Sequence, residues 1–259
     1  DKPDVHMDDG MERLVPEVVE KPAEIDQPIY LSEASLEFSQ TGIKALFDES
    51  LRLLQNAAYK AIAHGLSVHR EDLQSDVGLR KLLKSREAIP VDIDQLYATR
   101  IKSIYSQILE YATRLQSEFA LEEDKIETIR NILIADRMLV HIVKDMQPLH
   151  DNIVLFMKSG NPHIMDEYNT IRRRILKVMR EIHRAGESDY PLRHIRKIEK
   201  QRVKAETLDA LLSGQINKLL LEGKITNVMA TSLINDSERA SKIIRNLIDI
   251  ATLLYHPKD

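Results

Sequence analysis

The sequence predicts an all-α fold. Apolar residues recur every three or four positions over long stretches, and glycine or proline separates one stretch from the next. The 259 residues include only eight glycines and nine prolines, so few positions would interrupt a helix. Hydrophobic residues make up 43% of the chain, which is enough for one large core or two smaller ones.

Composition excludes several classes of protein and site. The chain has no cysteine, which rules out disulfide bonds and thiolate metal sites. It has no run of about 18 apolar residues, so no segment of this sequence is expected to span a membrane. Residues 1–27 are acidic and lack the apolar region of a signal peptide. The net charge of −4 gives no reason to expect nucleic-acid binding.

A flexible tether is predicted at residues 1–28. This segment holds four prolines among many acidic residues. Such a composition buries too little apolar surface to offset the entropy that is lost when a chain becomes ordered. The folded region is therefore expected to begin near residue 29.

Residues 29–160 are predicted to hold three long helices. These helices cover about residues 35–64, 92–119 and 121–158, and a weaker helix falls within residues 66–90. Gly65 is expected to stop the first long helix. The third helix has the clearest periodicity and should be central. Its predicted core positions are Ile132, Ala135, Leu139, Ile142, Met146, Leu149, Ile153 and Phe156.

The second half, residues 161–259, follows a clear boundary. Gly160 is typical of the residue after a helix, Asn161 of an N-cap and Pro162 of the first helical position. The helices predicted after this boundary cover residues 162–186, residues 191–223 and a last stretch that Thr226 caps. Because short loops favour antiparallel neighbours, the sequence predicts either two three-helix bundles or one six-helix bundle.

Three segments carry a resemblance to a known family. Residues 235–239, Asn-Asp-Ser-Glu-Arg, match the start of the Asn-Asp-x-Glu-Arg-x-x-Asp pattern in the closing helices of PhoU proteins. Residues 28–55 resemble the beginning of the PhoU-like domain attached to bacterial sodium–phosphate cotransporters, and residues 221–254 resemble its last helix. The chain is similar to this family over about residues 28–256.

The resemblance implies a PhoU-like fold of two antiparallel three-helix bundles side by side, formed by residues 29–160 and 161–259. It implies a regulatory or assembly domain at the cytoplasmic face of the bacterial inner membrane, involved in phosphate transport or its control. The implied partners are the membrane-embedded transporter portion of the same polypeptide and a second copy of the chain. No cofactor is expected.

Catalysis is not expected, because the sequence has no Gly-rich phosphate loop, Gly-x-Ser-x-Gly elbow or His-Glu-x-x-His motif. An alternative function is a free-standing helical-bundle adaptor that binds acidic partners or nucleic acid through a basic face.

The metal motif of the family is incomplete in this chain. PhoU proteins place a second acidic residue four positions after the first, and the pair holds metal. Here Lys242 stands four residues after Glu238. In the first half, Val140 stands four residues after Asp136. We therefore expect the degenerate motif formed by Asp236, Glu238 and Lys242 to hold no metal.

Two faces of the last helix are predicted to differ. Asp236 lies among its core positions, so we expect its carboxylate to bond to a neighbouring helix. The opposite face is predicted to form a solvated ladder of ion pairs among Glu238, Lys242, Arg245 and Asp249.

Basic residues are concentrated in residues 171–184 and 193–204. In the second run, five cations share one helical face, namely Arg193, Arg196, Lys197, Lys200 and Lys204. We interpret this face as a candidate contact for anionic lipid head groups or another anion. For both runs, we expect a solvated face whose cations are partnered by acids elsewhere, and a contact with an external anion is the alternative. Nucleic acid is not expected as a partner, because aromatic residues are sparse there.

Overall fold

A computed structural model describes residues 27–84 and 87–255, apart from the side chains of residue 57 and residues 206–213. Within these residues the protein is helical and has no β-strand, which confirms the predicted all-α class. No helix among them is both long enough and apolar enough to cross a membrane. Residues 1–26 of the predicted tether lie outside the described residues, so the tether stays a prediction.

The helices of the first half include three of only four or five residues, which lie between the longer helices. In chain order they are α1 (Ser39–Arg52), α2 (Tyr59–Gly65), α3 (Arg70–Gln74), α4 (Leu79–Leu82), α5 (Ile93–Leu96), α6 (Lys102–Glu118) and α7 (Glu123–Met157). Two π-helical segments, Leu53–Ala58 and Tyr97–Ile101, connect α1 to α2 and α5 to α6. The weaker helix expected within residues 66–90 is thus a pair of short helices, α3 and α4.

The second half contains three long helices, α8 (Pro162–Gly186), α9 (Pro191–Leu221) and α10 (Asn227–Tyr255). The predicted helix end and N-cap are confirmed: Gly160 has a φ of 70°, and Asn161 accepts hydrogen bonds from the first backbone amides of α8. The backbone amide of Met229 donates to Thr226 Oγ1 at 3.2 Å, which confirms Thr226 as the cap of α10.

The first long helix begins and ends differently from the prediction. It begins at Ser39 rather than near residue 35, because Phe38 has an extended backbone. Gly65 is the last residue of α2, but the left-handed residue beyond it is Ser67, with a φ of 52°. A Cβ atom on Gly65 would lie 2.8 Å from Met146 Cε. Glycine here allows the close approach of α2 to α7, and does not serve a left-handed turn.

Helix α7 lies at the centre of the contacts. All eight of its predicted core positions are buried. It contacts α1, α2, α5 and α6, and it also packs along α10. Helices α8, α9 and α10 contact one another. The pair α7–α10 therefore joins the helices that precede Gly160 to those that follow it.

Buried arginines of α8 hold the segment that connects α2 to α4. Arg172 is fully buried, and its guanidinium donates to the backbone oxygens of Leu66 and Ser67 at 2.7 and 3.2 Å. Arg180 donates to the backbone oxygens of Asp72 and Val77 at 2.8 and 2.9 Å. Burial lowers the pKa of Arg172 to about 10. The prediction of a solvated face was wrong for these two residues, because α8 packs against the connecting segment.

Candidate functional site

The motif residue Asp236 forms a buried junction of three helices. Its Oδ2 accepts hydrogen bonds from Asn152 Nδ2 on α7 at 2.8 Å and from the Tyr168 hydroxyl on α8 at 2.7 Å. Its Oδ1 pairs with the guanidinium of Arg239 on α10. The expected bond between Asp236 and a neighbouring helix is confirmed. Burial and the adjacent carboxylate raise the pKa of Tyr168, so its hydroxyl keeps the proton that it donates.

A similar carboxylate occupies the first half. Asp136 on α7 is buried, and Ser50 Oγ on α1 donates to its Oδ2 at 2.6 Å. Each aspartate thus lies on the third long helix of its sequence half and accepts a hydroxyl hydrogen bond from the first long helix of that half. Burial raises the pKa of Asp136 to about 7, although the Ser50 hydrogen bond acts in the opposite direction.

The exposed side of the motif does not form the predicted ladder. Lys242 Nζ lies 2.8 Å from Asp145 Oδ2 on α7, rather than pairing with Glu238. Asp249 pairs with Arg202 on α9 at 2.7 Å. Glu238 is exposed and has no ion-pair partner among the described residues. The ladder was wrong because α7 and α9 pack beside α10 and bring charges closer than those on α10 itself.

A depression of about 320 Å³ lies at this junction of α7 and α10. It is lined by Asp145, Asn235, Glu238, Arg239, Lys242 and Arg245. Sequence reasoning missed that Asp145 lies beside Glu238 and Lys242, since this placement depends on how α7 and α10 pack. The lining holds two carboxylates and three cations, so its net charge is positive and opposes the binding of a divalent cation.

Among the described side chains of residues 27–84 and 87–255, no group of three or more histidine or acidic residues is placed to hold a metal ion. The expectation that Asp236, Glu238 and Lys242 bind no metal stays a prediction, to be measured on the protein.

The basic face of α9 is exposed at all five predicted positions, Arg193, Arg196, Lys197, Lys200 and Lys204. Lys197 is the member nearest an acid, with its Nζ 3.7 Å from Glu181 Oε2 on α8. Burial would raise the pKa of Glu181, but hydrogen bonding to His194 and the nearby cations lower it below its usual value. The other four cations have no ion-pair partner among the described residues. Most of this face is therefore available to an external anion.

No protein-family model matches the sequence, and neither a curated protein nor a solved structure matches it. The function must therefore be argued from the positions and charges of these side chains.

Substitution of Lys242 by aspartate tests the prediction that Lys242 prevents the motif from binding a metal ion. We expect Lys242→Asp to increase the affinity for Mn²⁺, because it adds a carboxylate beside Asp145 and Glu238 and removes a repelling charge. Titration calorimetry measures the change in affinity. The control is Arg130→Asp, which makes the same charge change at an exposed position of α7 that does not line the depression. Equal Mn²⁺ affinity in both variants would show that the carboxylates around the depression do not bind the ion together.

The metal content of the unaltered protein is a separate test. We expect elemental analysis of this protein to find no stoichiometric iron, zinc or manganese. About one tightly held transition-metal ion per chain, lost on substitution of Glu238, would contradict the prediction that the motif binds no metal.

Asp136 should make stability depend on pH. Its folded pKa of about 7 exceeds the usual value of 3.8, so between these values the folded protein holds a proton that the unfolded chain has lost. The free energy of unfolding should therefore fall as pH rises through this window. Asp136→Asn should remove that part of the fall in urea titrations at pH 5 and pH 8. Glu127→Gln, at an exposed acid of α7, should leave the fall unchanged. An unchanged fall in Asp136→Asn would contradict the account.

Proposed function

We propose that this chain is a PhoU-like domain that regulates or assembles a sodium–phosphate cotransporter-like membrane protein. The observation that carries the proposal is the pair of buried aspartates, Asp136 and Asp236. Each lies on the closing helix of its half and accepts a hydroxyl hydrogen bond from the opening helix. This repetition is what two related three-helix bundles, lying side by side, would produce.

The contacts of the closing helices support the same arrangement. Helices α7 and α10 pack along each other, and Lys242 of α10 pairs with Asp145 of α7. A domain joined in this way could transmit a change in one bundle to the other. In this proposal it biases the transporter through the membrane-embedded portion of the same polypeptide, or dimerises beneath it at the cytoplasmic face of the bacterial inner membrane.

A non-catalytic role agrees with the engagement of the motif side chains. Asp236 is held by three partners inside the protein, and Asp145 is held by Lys242. Asp236 supports the packing of helices and has no free position toward a substrate, and Asp145 pairs with a cation in the wall of the depression. We therefore propose no enzymatic activity and no resident cofactor for this domain.

The basic face of α9 is the surface that we assign to the membrane or to another anionic partner. Its arginines and lysines are exposed and mostly without acidic neighbours. Each basic residue near an anionic bilayer contributes about 1 kcal/mol of attraction. The same open charges also favour the second candidate, a free-standing adaptor that binds acidic partners or nucleic acid.

Phosphate uptake by cells that express the complete gene product tests the proposal. We expect labelled phosphate to enter with a sodium gradient, and we expect Arg196→Glu/Lys200→Glu to alter the uptake rate because the charge of the α9 face is reversed. The matched control is Arg130→Glu/Arg137→Glu, which makes the same charge change at two exposed positions of α7. Uptake that does not depend on sodium, or that neither variant alters, would contradict a role of this domain in transport.

A further inference from the structure

A second cationic surface lies in a groove between α4, α8 and α9, and Lys204 is the cation that it shares with the basic face of α9. Two adjoining cavities, of about 390 and 440 Å³, share Arg80 and Arg173 in their walls. Volumes of this size are typical of small-molecule sites. The cations that line the groove are Arg80, Lys84, Arg173, Arg174, Lys177 and Lys204.

The arginines at the centre of the groove lack the partners that buried charges require. Arg173 and Arg174 are half-buried, and neither forms an ion pair within the described part of the chain. The Nη1 atom of Arg174 is buried and has no hydrogen-bond partner. Burial, and then the charge of Arg173, lower the pKa of Arg174. A buried donor without an acceptor is costly, so an anion bound in the groove would supply what the protein does not.

Acidic side chains do not neutralise the cavity of about 390 Å³. Asp166 lines the cavity of about 440 Å³, but no carboxylate is among the described side chains that line the smaller one. Glu167 is the acid whose charge acts on Arg174, and it is engaged in a hydrogen bond with Gln215. By contrast, Arg172 on the same helix donates from its Nε and Nη2 atoms to the backbone oxygens of Leu66 and Ser67 and from its Nη1 atom to Asn169 Oδ1. Buried guanidinium atoms of α8 can thus be fully bonded within the protein, whereas Nη1 of Arg174 is not.

The floor of the cavity of about 390 Å³ is apolar. Besides its cations and Gln201, this cavity is lined by Leu79, Val178, Ala205 and Ile244, of which the last three are buried. Leu79 is the apolar residue among them that keeps exposed surface, and a purely inorganic anion would leave it in contact with water. An organic group could cover it while its phosphates contact the cations, since Arg suits phosphate oxygens with two parallel hydrogen bonds.

We propose that the groove binds a small organic polyphosphate of the nucleoside di- or triphosphate class. The phosphates lie among Arg173, Arg174 and Lys177 of α8 and Lys204 of α9, and the organic group lies on the apolar floor. A concave site of this volume suits a small molecule better than the flat surface of a bilayer. The inference does not rest on the proposed function, because the ligand would bind the domain whether or not it serves a transporter.

Titration calorimetry with ATP on the 259-residue chain tests the inference. We expect one saturable site per chain, with affinity at least about tenfold lower in Arg174→Gln/Lys177→Gln because two charge-assisted contacts are lost. Arg193→Gln/Lys200→Gln removes the same charge from the α9 face outside the groove and should bind ATP like the unaltered protein.

A second variant guards against misfolding of the first. Arg80→Gln/Lys204→Gln changes two exposed cations of the rim and should also weaken ATP binding. Inorganic tripolyphosphate should bind more weakly than ATP, because it cannot cover the floor. The inference is overturned by the absence of saturable binding, by equal weakening in the groove and α9-face variants, or by tripolyphosphate binding as tightly as ATP. It is also overturned if the groove variants weaken binding to anionic vesicles but not to ATP.

Discussion

A single buried carboxylate fixes how three of the long helices meet. Asp236 has no exposed surface, and a charge in such a place must be compensated by hydrogen bonds and an opposite charge. Asn152, Tyr168 and Arg239 supply this compensation from α7, α8 and α10. The helices cannot slide past one another without breaking these bonds. Asp236, a residue of the degenerate motif, thus connects α7, α8 and α10 in this protein.

Hydrogen bonds from two arginines attach the segment between α2 and α4 to α8. The backbone oxygens at the end of a helix lack partners within that helix and carry partial negative charge. Arg172 satisfies those at the end of α2, and Arg180 satisfies two more near α3 and α4. These bonds place α4 beside α8 and so create the groove with unpaired cations. The same basic run therefore provides both a structural anchor and a candidate ligand site.

The features that the sequence predicted are local, and those that it missed depend on packing between distant segments. The buried face of α7 and the cap at Asn161 follow from periodicity and from backbone amides within one turn of helix. The pairing of Lys242 with Asp145 and the burial of Arg172 depend on which helices become neighbours. Helical spacing alone placed the partner of Lys242 on its own helix, where the structure has none.

A double-mutant cycle between Asp236 and Tyr168 tests this account most directly. The free energy of unfolding would be measured by urea titration for Asp236→Asn, for Tyr168→Phe and for the double variant. If the buried carboxylate joins the helices, the two changes should be non-additive, with a coupling free energy of about 1–3 kcal/mol. Additive losses, within about 0.5 kcal/mol, would contradict the claim that this carboxylate holds α8 and α10 together.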